Sequence, residues 1–468
     1  IIALLLSTHF YPIDTTDFGC FPCRCLQKED GAKHLASCSL IGILRLKDAS
    51  LSQQNITSVA EDAFTSSRSL QRLSLSGNQV SFLPAKVFAP LDSLQLLDLG
   101  RLGLQQVESD TFTGLSNLRI LSLSQNRLKV VPEDLLRPMP ALEKFLLGGI
   151  SYEQGKPRIL GNQLRLLPEE LLQHSPRLQV LDLSENKLTS LPHNVLDKIP
   201  LLETLDLGSN KLADLPGKIF DKTPLLQALD LASNKLTELP GEIFSGLSKL
   251  QELDLRSNKL SKWPAEVFSG LSSLQKLNLG YNSLTRLHAG VFSGLSNLQE
   301  LDLWSNLLSE MPAEVFSGLR KLQDLNLGTN KLSKLPAEVW AHLFAGLSNL
   351  RWLDLGSNRL GELSSKVWSK SFAGLSHLQE LYLGGNDLSE LHAGVFSGLG
   401  NLQKLVLNEN RLNELPVEIW ADLFAGLGSL EELWLDGNDL GELPAEAWVN
   451  MLSELGQLQE LSLYGNGL

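Results

Sequence analysis

The sequence predicts an α/β fold, a solenoid in which short strands from successive repeats stack in parallel into one sheet. Two observations lead to this prediction. A unit of the form L-x-x-L-x-L-x-x-N-x-L-x-x-L-P-x-x-x-F-x-x-L recurs along most of the 468-residue chain. A single unit of this kind buries almost no apolar surface, so a core forms only when neighbouring units stack.

The L-x-L part of each unit predicts a short strand. Side chains alternate between the two faces of a strand, so both leucines point to the core and the residue between them points away from it. The asparagine at the ninth position lies where the chain leaves the strand, and its amide can pair with backbone groups of neighbouring turns. One unit has Leu102 instead, and we expect its turn to be reshaped because leucine lacks these hydrogen bonds. The other units carry Asn78, Asn126, Asn162, Asn186, Asn210, Asn234, Asn258, Asn282, Asn306, Asn330, Asn358, Asn386, Asn410, Asn438 and Asn466.

These repeats resemble the leucine-rich repeat family, in particular its 24-residue class that is common in extracellular proteins. The resemblance covers about residues 44–468. It implies a curved horseshoe with the parallel β-sheet on the concave face and short helices or irregular segments on the convex face. It also implies an internal spine of stacked phenylalanines, formed by Phe88, Phe112, Phe220, Phe244, Phe268, Phe292, Phe316, Phe344, Phe372, Phe396 and Phe424.

Four units near the C-terminus are 28 residues long instead of 24, and each of them brings a tryptophan. Four added residues are about one helical turn, so we expect a longer convex helix in each of these units. Large aromatic side chains at this place favour packing in the core, and the alternative is an exposed ridge for a partner. The tryptophans are Trp340, Trp368, Trp420 and Trp448.

Residues 150–161 interrupt the repeat without changing its phase. Removing them brings Leu147 into register with Asn162, so they are an insertion between a strand and its asparagine turn. Their glycines and proline suit a hairpin-like loop, and long loops on rigid scaffolds often bind partners. The alternative is a tolerated surface insertion, which costs little stability. Three side chains of the insertion suit contact with a partner: Tyr152, Lys156 and Arg158.

The four cysteines all lie near the start of the chain, which predicts two disulfides and an oxidising compartment. A zinc site is the alternative, although the Cys-x-Cys spacing fits tetrahedral zinc less well. The C-x-x-C-x-C…C order also resembles the N-terminal cysteine cap of the family, over residues 20–43. That resemblance implies that Cys20 pairs with Cys25 and that Cys23 pairs with Cys38.

Both ends of the chain bear on its cellular location. Residues 1–19 open with an apolar run that is too short to span a membrane, and this segment is the remnant of a signal peptide or a packed arm. A glycosylation sequon at Asn55 agrees with secretion. No cysteine cap follows the last repeat, so we expect a truncated C-terminus or another element that covers this end. The sequence therefore predicts an extracellular or cell-surface protein.

The chain shows no recognisable catalytic constellation and no metal-ligand cluster, so the sequence predicts no enzyme, no cofactor and no metal. Its formal net charge is −13, and it has no basic stripe, which argues against nucleic-acid binding. An acidic surface favours basic or cationic partners instead.

The outward face of the sheet, which the resemblance makes concave, is the better place to look for a site. Aspartate recurs between the two strand leucines, and adjacent strands lie about 4.8 Å apart. Like charges at that spacing repel, raise some pKa values and attract cations or basic partners. The alternative is that aspartate is simply ordinary at this position of the repeat. The acidic ladder comprises Asp182, Asp206, Asp230, Asp254, Asp302 and Asp354.

Aromatic side chains also occupy the outward face in the C-terminal half of the chain. Exposed tryptophan and tyrosine are the usual anchors of protein interfaces. The alternative is unselected variation on a solvated sheet face. The candidate ligand-binding residues are Tyr281, Trp304, Trp352, Tyr382, Trp434 and Tyr464.

The sequence thus predicts an extracellular or cell-surface recognition or adhesion module that binds a protein or glycan ligand through its concave face. The alternative is a structural scaffold, a subunit of a larger extracellular or membrane-associated assembly or filament. A receptor needs a free concave face, whereas a scaffold needs its ends or its convex face in contact. Contact with a membrane would come through segments beyond the ends of this sequence.

Overall fold

The computed structural model describes residues 24–27, 33–37, 46–153, 156–159, 161–363, 365–372 and 374–468. The chain forms two compact units, Ile1–Leu236 and Thr237–Leu468. In both units each repeat contributes one three-residue strand to a parallel sheet, and the leucines of these strands point into the core. The predicted solenoid of stacked parallel strands is confirmed.

The parallel sheet in the described part of the first unit has eight strands. Its pairing is in register, so that Leu181 lies beside Leu205 and Asp182 lies beside Asp206. Both leucines are fully buried. The strands are Asp48–Ser50, Arg72–Ser74, Leu96–Asp98, Ile120–Ser122, Lys144–Leu146, Val180–Asp182, Thr204–Asp206 and Ala228–Asp230.

The described part of the second unit has nine such strands, again in register. Leu325 pairs with Leu353 even though the repeat between them is four residues longer than most. The added residues are therefore accommodated away from the sheet. The strands are Glu252–Asp254, Lys276–Asn278, Glu300–Asp302, Asp324–Asn326, Trp352–Asp354, Glu380–Tyr382, Lys404–Val406, Glu432–Trp434 and Glu460–Ser462.

Helices occur in the four long repeats, where the added residues predict them. They are Ala337–Trp340, Ser365–Ser371, Val417–Leu423 and Ala445–Ser453. A 3₁₀ turn precedes each helix, at Leu332–Lys334, Leu360–Glu362, Leu412–Glu414 and Leu440–Glu442. Trp340, Trp368 and Trp420 are fully buried, whereas Trp448 is half-buried. Three of the four tryptophans thus fill the space that the longer repeat opens.

The asparagines hydrogen-bond the backbone of neighbouring turns. Asn210 Nδ2 donates to the carbonyl oxygens of Leu183 (2.9 Å) and Leu207 (3.0 Å), and its Oδ1 accepts from the N–H of Leu188 (3.0 Å). Asn234 Oδ1 accepts from the N–H of Leu212 (3.0 Å) in the same way. These bonds satisfy polar groups that the stack would otherwise bury without partners.

The repeat with Leu102 keeps its carbonyl groups satisfied by the asparagines on either side. Asn78 Nδ2 donates to the Leu75 carbonyl (2.6 Å), and Asn126 Nδ2 donates to the Leu99 carbonyl (2.9 Å). Leu102 itself is buried, and its N–H donates to Asn126 Oδ1 (3.1 Å). A single leucine is therefore tolerated because its neighbours supply the donors.

Stacked phenylalanine rings fill the core of each unit. Phe88 and Phe112 lie 6.2 Å apart in the first unit, and Phe268 and Phe292 lie 6.4 Å apart in the second. Phe64, which the repeat pattern did not include, extends the first stack at 5.7 Å from Phe88.

Residues 150–161 contain a two-stranded antiparallel hairpin, Ile150–Glu153 with Lys156–Ile159. Asn162 Nδ2 still donates to the Leu147 carbonyl (2.7 Å), fifteen residues earlier, a bond that other asparagines make to the leucine three residues before them. The asparagine turn therefore forms across the inserted residues. Tyr152, Lys156 and Arg158 lie on the hairpin strands, and only the backbone of these residues is described.

A small sheet lies near the start of the described chain. Arg24–Gln27 pairs antiparallel with Lys33–Ser37, which pairs in parallel with Ile56–Val59. Residues 1–19 and the side chains of the four cysteines lie outside the described part of the structure. The disulfides predicted for Cys20, Cys23, Cys25 and Cys38 therefore stay predictions.

Candidate binding face

The outward face of each sheet consists of the side chains on either side of the central leucine in each strand. The aspartate or asparagine that follows this leucine has a local structural role. Asp206 Oδ1 accepts a hydrogen bond from the N–H of Gly208 (2.8 Å), and Asn278 Oδ1 accepts one from Gly280 (3.0 Å). Such a side-chain bond to the backbone two residues later stabilises the turn that ends the strand. This explains why aspartate or asparagine recurs there.

The first unit brings three members of the acidic ladder together, since Asp182, Asp206 and Asp230 are in-register neighbours. Asp182 and Asp206 are only 5% and 4% exposed. Burial raises the pKa of Asp182, and it raises the pKa of Asp206 well above its ordinary value, with added repulsion from Asp230 and Asp182. These two carboxyl groups are therefore poorly accessible to a partner.

The root of the inserted hairpin lies directly against this ladder. Ser184 Oγ donates to Asp182 Oδ1 (2.6 Å) and accepts from the N–H of Gly149 (3.4 Å). A Cβ atom on Gly148 would overlap both Asp182 Oδ1 and Ser184 Oγ. Glycine at position 148 is thus required by this close approach, which the sequence pattern did not reveal.

The second unit holds the other three ladder members, and these are only half-buried. Asp254 is ion-paired with Arg256 at 3.2 Å. Asp302 and Asp354 flank Asn326 in the sheet, and burial raises the pKa of both, with the charge of Asp302 further raising that of Asp354.

The predicted aromatic residues form separate groups in the second unit. Trp352, Tyr382 and Trp434 occupy outward strand positions, whereas Tyr281, Trp304 and Tyr464 lie in the turns that follow strands, which we count as part of the outward face. Tyr281 packs edge-on against Trp304, with ring centres 4.4 Å apart. Trp352 and Tyr382 lie 5.4 Å apart. Tyr464 is 88% exposed.

Trp434 is paired with a lysine that the sequence reasoning missed. Lys404 Nζ lies 4.1 Å from the centre of the Trp434 ring and 2.5 Å from Glu432 Oε2. Glu380 was missed as well, and its Oε2 accepts a hydrogen bond from the Tyr382 hydroxyl (2.6 Å). The sequence contained a signal for both residues. Lys404 and Glu380 each precede the central leucine of a strand, and this position lies on the same face as the position after the leucine.

The outward face of the second unit is acidic. Its nine described strands present eighteen outward positions, of which nine hold aspartate or glutamate and two hold lysine. Both lysines are in ion pairs, Lys276 with Glu300 (2.6 Å) and Lys404 with Glu432. This charge balance complements a basic partner.

Three further features concern the glycosylation sequon, metal-binding groups and membrane-spanning helices. Asn55 is exposed, as a glycosylation site must be. Among the described residues, no group of three or more histidine, cysteine or acidic side chains is placed to hold a metal ion. None of the helices that the structure describes has the length and apolar character needed to cross a membrane.

A family model described as leucine rich repeat matches the chain in nine stretches. A leucine-rich repeat protein of Leptospira interrogans has a similar structure, with a TM-score of 0.65 and 28% identity over 90% of this chain and 91% of that chain. Toll in the Toll–Spätzle complex of Drosophila has a TM-score of 0.64 and 23% identity, over 76% of this chain and 48% of that chain, and shows a likeness of fold. A search of curated proteins found no match.

The leucine rich repeat model matches residues 45–101, 99–149, 158–212, 200–260, 248–303, 296–360, 338–388, 365–412 and 376–440. Because these stretches span more than half of its residues, the chain belongs to the leucine-rich repeat family.

Proposed function

We propose that this protein is a recognition module that binds a protein partner through the outward face of the second unit. The observation that carries the proposal is the set of aromatic side chains on that face, paired as Tyr281 with Trp304 and Trp352 with Tyr382. Aromatic anchors of this kind supply most of the binding energy in many interfaces. Both pairs are already packed before binding, so little side-chain freedom is lost when a partner binds.

Two further observations support this reading. The acidic outward face of the second unit complements a basic surface, and such complementarity favours selective encounter with a partner. One structure that shares the fold is Toll in a complex with Spätzle, where the repeat scaffold belongs to a protein complex. We keep the expectation that the chain is not an enzyme and does not bind nucleic acid, and a glycan is the second ligand class.

We also propose that the module works outside the cell or at its surface. The support is the cysteine cluster together with the sequon at the exposed Asn55. Two disulfides in that cluster need an oxidising compartment. Four reactive thiols in the natively folded chain would contradict this location.

A double substitution tests the binding face. Wild type is first used to select ligands from a displayed library of extracellular proteins. For the ligands that wild type retains, we expect the variant Trp352→Ala plus Trp434→Ala to bind roughly tenfold or more weakly. The measurement is equilibrium binding of each retained ligand to wild type and variant.

The matched control is Phe82→Ala, which removes an aromatic side chain that is 53% exposed but belongs to the first unit and is no part of the proposed face. Circular dichroism checks that each variant is folded. Equal binding by the double variant and wild type would overturn the proposal. A third variant that lacks residues 150–161 measures what the hairpin contributes.

A further inference from the structure

We propose that Trp304, Asp302 and Asp354 form a cation socket that receives the guanidinium group of an arginine from the protein partner. This inference rests on the proposed function, because it names the chemistry that the recognition face of the second unit selects. Three observations carry it: the approach of Trp304 to Asp354 across Gly328, an occupied counterpart on the same face, and the charge balance around these side chains.

Trp304 and Asp354 approach each other because position 328 has no side chain, and Asp302 is bonded to the backbone N–H of Trp304. A Cβ atom on Gly328 would lie 2.8 Å from Trp304 Cδ1 and 3.0 Å from Asp354 Oδ2. The indole edge and the carboxylate are therefore neighbours across the glycine. A cation is attracted to an indole within about 6 Å of the ring centre, so one cation can contact both groups.

The carboxylates have an oxygen left for a partner. Asp302 Oδ1 accepts from the N–H of Trp304 (2.8 Å), and Asp354 Oδ1 accepts from the N–H of Gly356 (2.7 Å). Each turn therefore uses only the Oδ1 atom of its carboxylate, and the Oδ2 atom takes no part in the turn. Burial raises the pKa of both carboxyl groups, and a bound cation would offset that cost of partial desolvation.

The same face contains this arrangement with its cation already in place. Lys404 Nζ lies 4.1 Å from the centre of the Trp434 ring and 2.5 Å from the Glu432 carboxylate. An ammonium, an indole and a carboxylate thus meet there within the chain. At Trp304 the indole and the carboxylates are present, and the cation is the component that a partner would supply.

The basic side chains nearby are already engaged with other acids. Arg256, whose charge lowers the pKa of Asp302, is ion-paired with Asp254 at 3.2 Å. Lys276 is ion-paired with Glu300 at 2.6 Å.

Since Asp302 and Asp354 are two strands apart, they lie about 10 Å from each other at the backbone. A planar guanidinium suits this site better than an ammonium, because it stacks on an indole while its fork of donors reaches carboxylates.

Fluorine NMR of the full chain labelled with 5-fluorotryptophan tests the socket. The Trp304 resonance is assigned with the variant Trp304→Phe, and the probe is N-acetyl-arginine amide, with N-acetyl-glutamine amide as the neutral control. We expect a saturable shift of the Trp304 resonance with the arginine probe and none with the glutamine probe. The Trp434 resonance should stay in place because Lys404 already occupies that ring.

Two variants separate charge from shape. Asp354→Asn should weaken the arginine probe about tenfold, since a charge-assisted bond becomes a neutral one. Asparagine keeps the strand turn, as Asn326 Oδ1 does by accepting from Gly328 (3.1 Å). Gly328→Ala keeps every charge but pushes Trp304 and Asp354 apart, and it should weaken the probe as well. A Trp304 resonance that does not move, that moves equally with both probes, or that responds unchanged in Asp354→Asn would overturn the socket.

The outcomes also separate the socket from the proposed function. If Trp352→Ala plus Trp434→Ala loses protein ligands while Asp354→Asn binds them unchanged, the recognition face stands and the socket is wrong. If the arginine probe shifts Trp304 but no protein ligand depends on Trp352 and Trp434, the socket stands and the proposed function fails.

Discussion

Asn210→Ala is expected to destabilise the first unit by about 3 kcal/mol or more. The Asn210 amide donates to the carbonyl oxygens of Leu183 and Leu207, and its Oδ1 accepts from the N–H of Leu188 (3.0 Å). All of these groups are buried, and each buried group that loses its partner costs roughly 1–3 kcal/mol. Alanine restores none of these bonds. Because the repeats are coupled through their neighbours, the loss should spread to the adjacent turns.

Urea unfolding followed by far-ultraviolet circular dichroism measures this loss, and hydrogen exchange locates it. The amide of Leu188 should exchange much faster in the variant than in wild type. All eight tryptophans lie in the second unit, so their fluorescence reports separately on that unit.

The matched control is Asn117→Ala in the same unit. Asn117 also donates to a backbone carbonyl, that of Asp92 (2.8 Å), but this bond is exposed to solvent. Water replaces the lost bond there, so we expect a change within about 0.5 kcal/mol. Similar losses in the two variants would contradict the role that we assign to the buried asparagines.

Asp206→Asn is expected to stabilise the first unit at pH 7. The Asp206 carboxylate lies between Asp182 and Asp230, one strand away on either side. Repulsion between two carboxylates about 5 Å apart is on the order of 1–3 kcal/mol for effective dielectric constants of 80 to 20. Asparagine removes this repulsion and the desolvation of the charge. It also keeps the bond to Gly208, as Asn278 shows with Gly280 (3.0 Å).

The gain should depend on pH in a defined direction. The folded chain holds the pKa of Asp206 well above the ordinary value of 3.8, so between these two values the folded state binds more protons than the unfolded state. Wild-type stability therefore falls as pH rises through this window, and the asparagine variant lacks this part of the slope. As pH falls well below 3.8 the aspartate becomes protonated in both states, and the advantage of the variant should disappear.

Unfolding by urea at pH 7 and near pH 3 measures this difference. Asp98→Asn is the matched control, because Asp98 occupies the same position in its strand but lies between Ser74 and Ser122. We expect a change within about 0.5 kcal/mol for the control at both pH values. A variant Asp206→Asn that is less stable than wild type at pH 7, or equally stabilised at both pH values, would show that the ladder carries no strain.

Local patterns in the sequence predicted the repeating elements well. Leucine spacing placed the strands, since alternation along a strand is a property of a few neighbouring residues. The insertion at residues 150–161 was visible because the phase of the repeat continues beyond it, and the bond from Asn162 to Leu147 follows from that phase. The added four residues indicated the helices near Trp340 and Trp420 for the same local reason.

The binding face was predicted only in outline. The aromatic positions were identified one by one, but the pairing of Tyr281 with Trp304 depends on a turn in which Tyr281 has a left-handed backbone (φ 52°). The cation–π contact between Lys404 and Trp434 joins residues thirty positions apart through strand register. Neither relation can be read from the repeat unit, because each joins side chains of two different repeats.

What the sequence by itself determined is the stack: parallel strands, asparagine turns, buried aromatic rings and an acidic outward face. Each of these follows from spacing within one repeat and from copying that repeat many times. Only the tertiary structure decided which acids are buried and which stay accessible. Asp182 and Asp354 occupy the same repeat position, yet Asp182 is buried against Ser184 and the glycine at the hairpin root, whereas Asp354 stays half-exposed beside Trp304 and Gly328. Burial depends on what packs over a side chain, and packing brings together residues from distant parts of the chain.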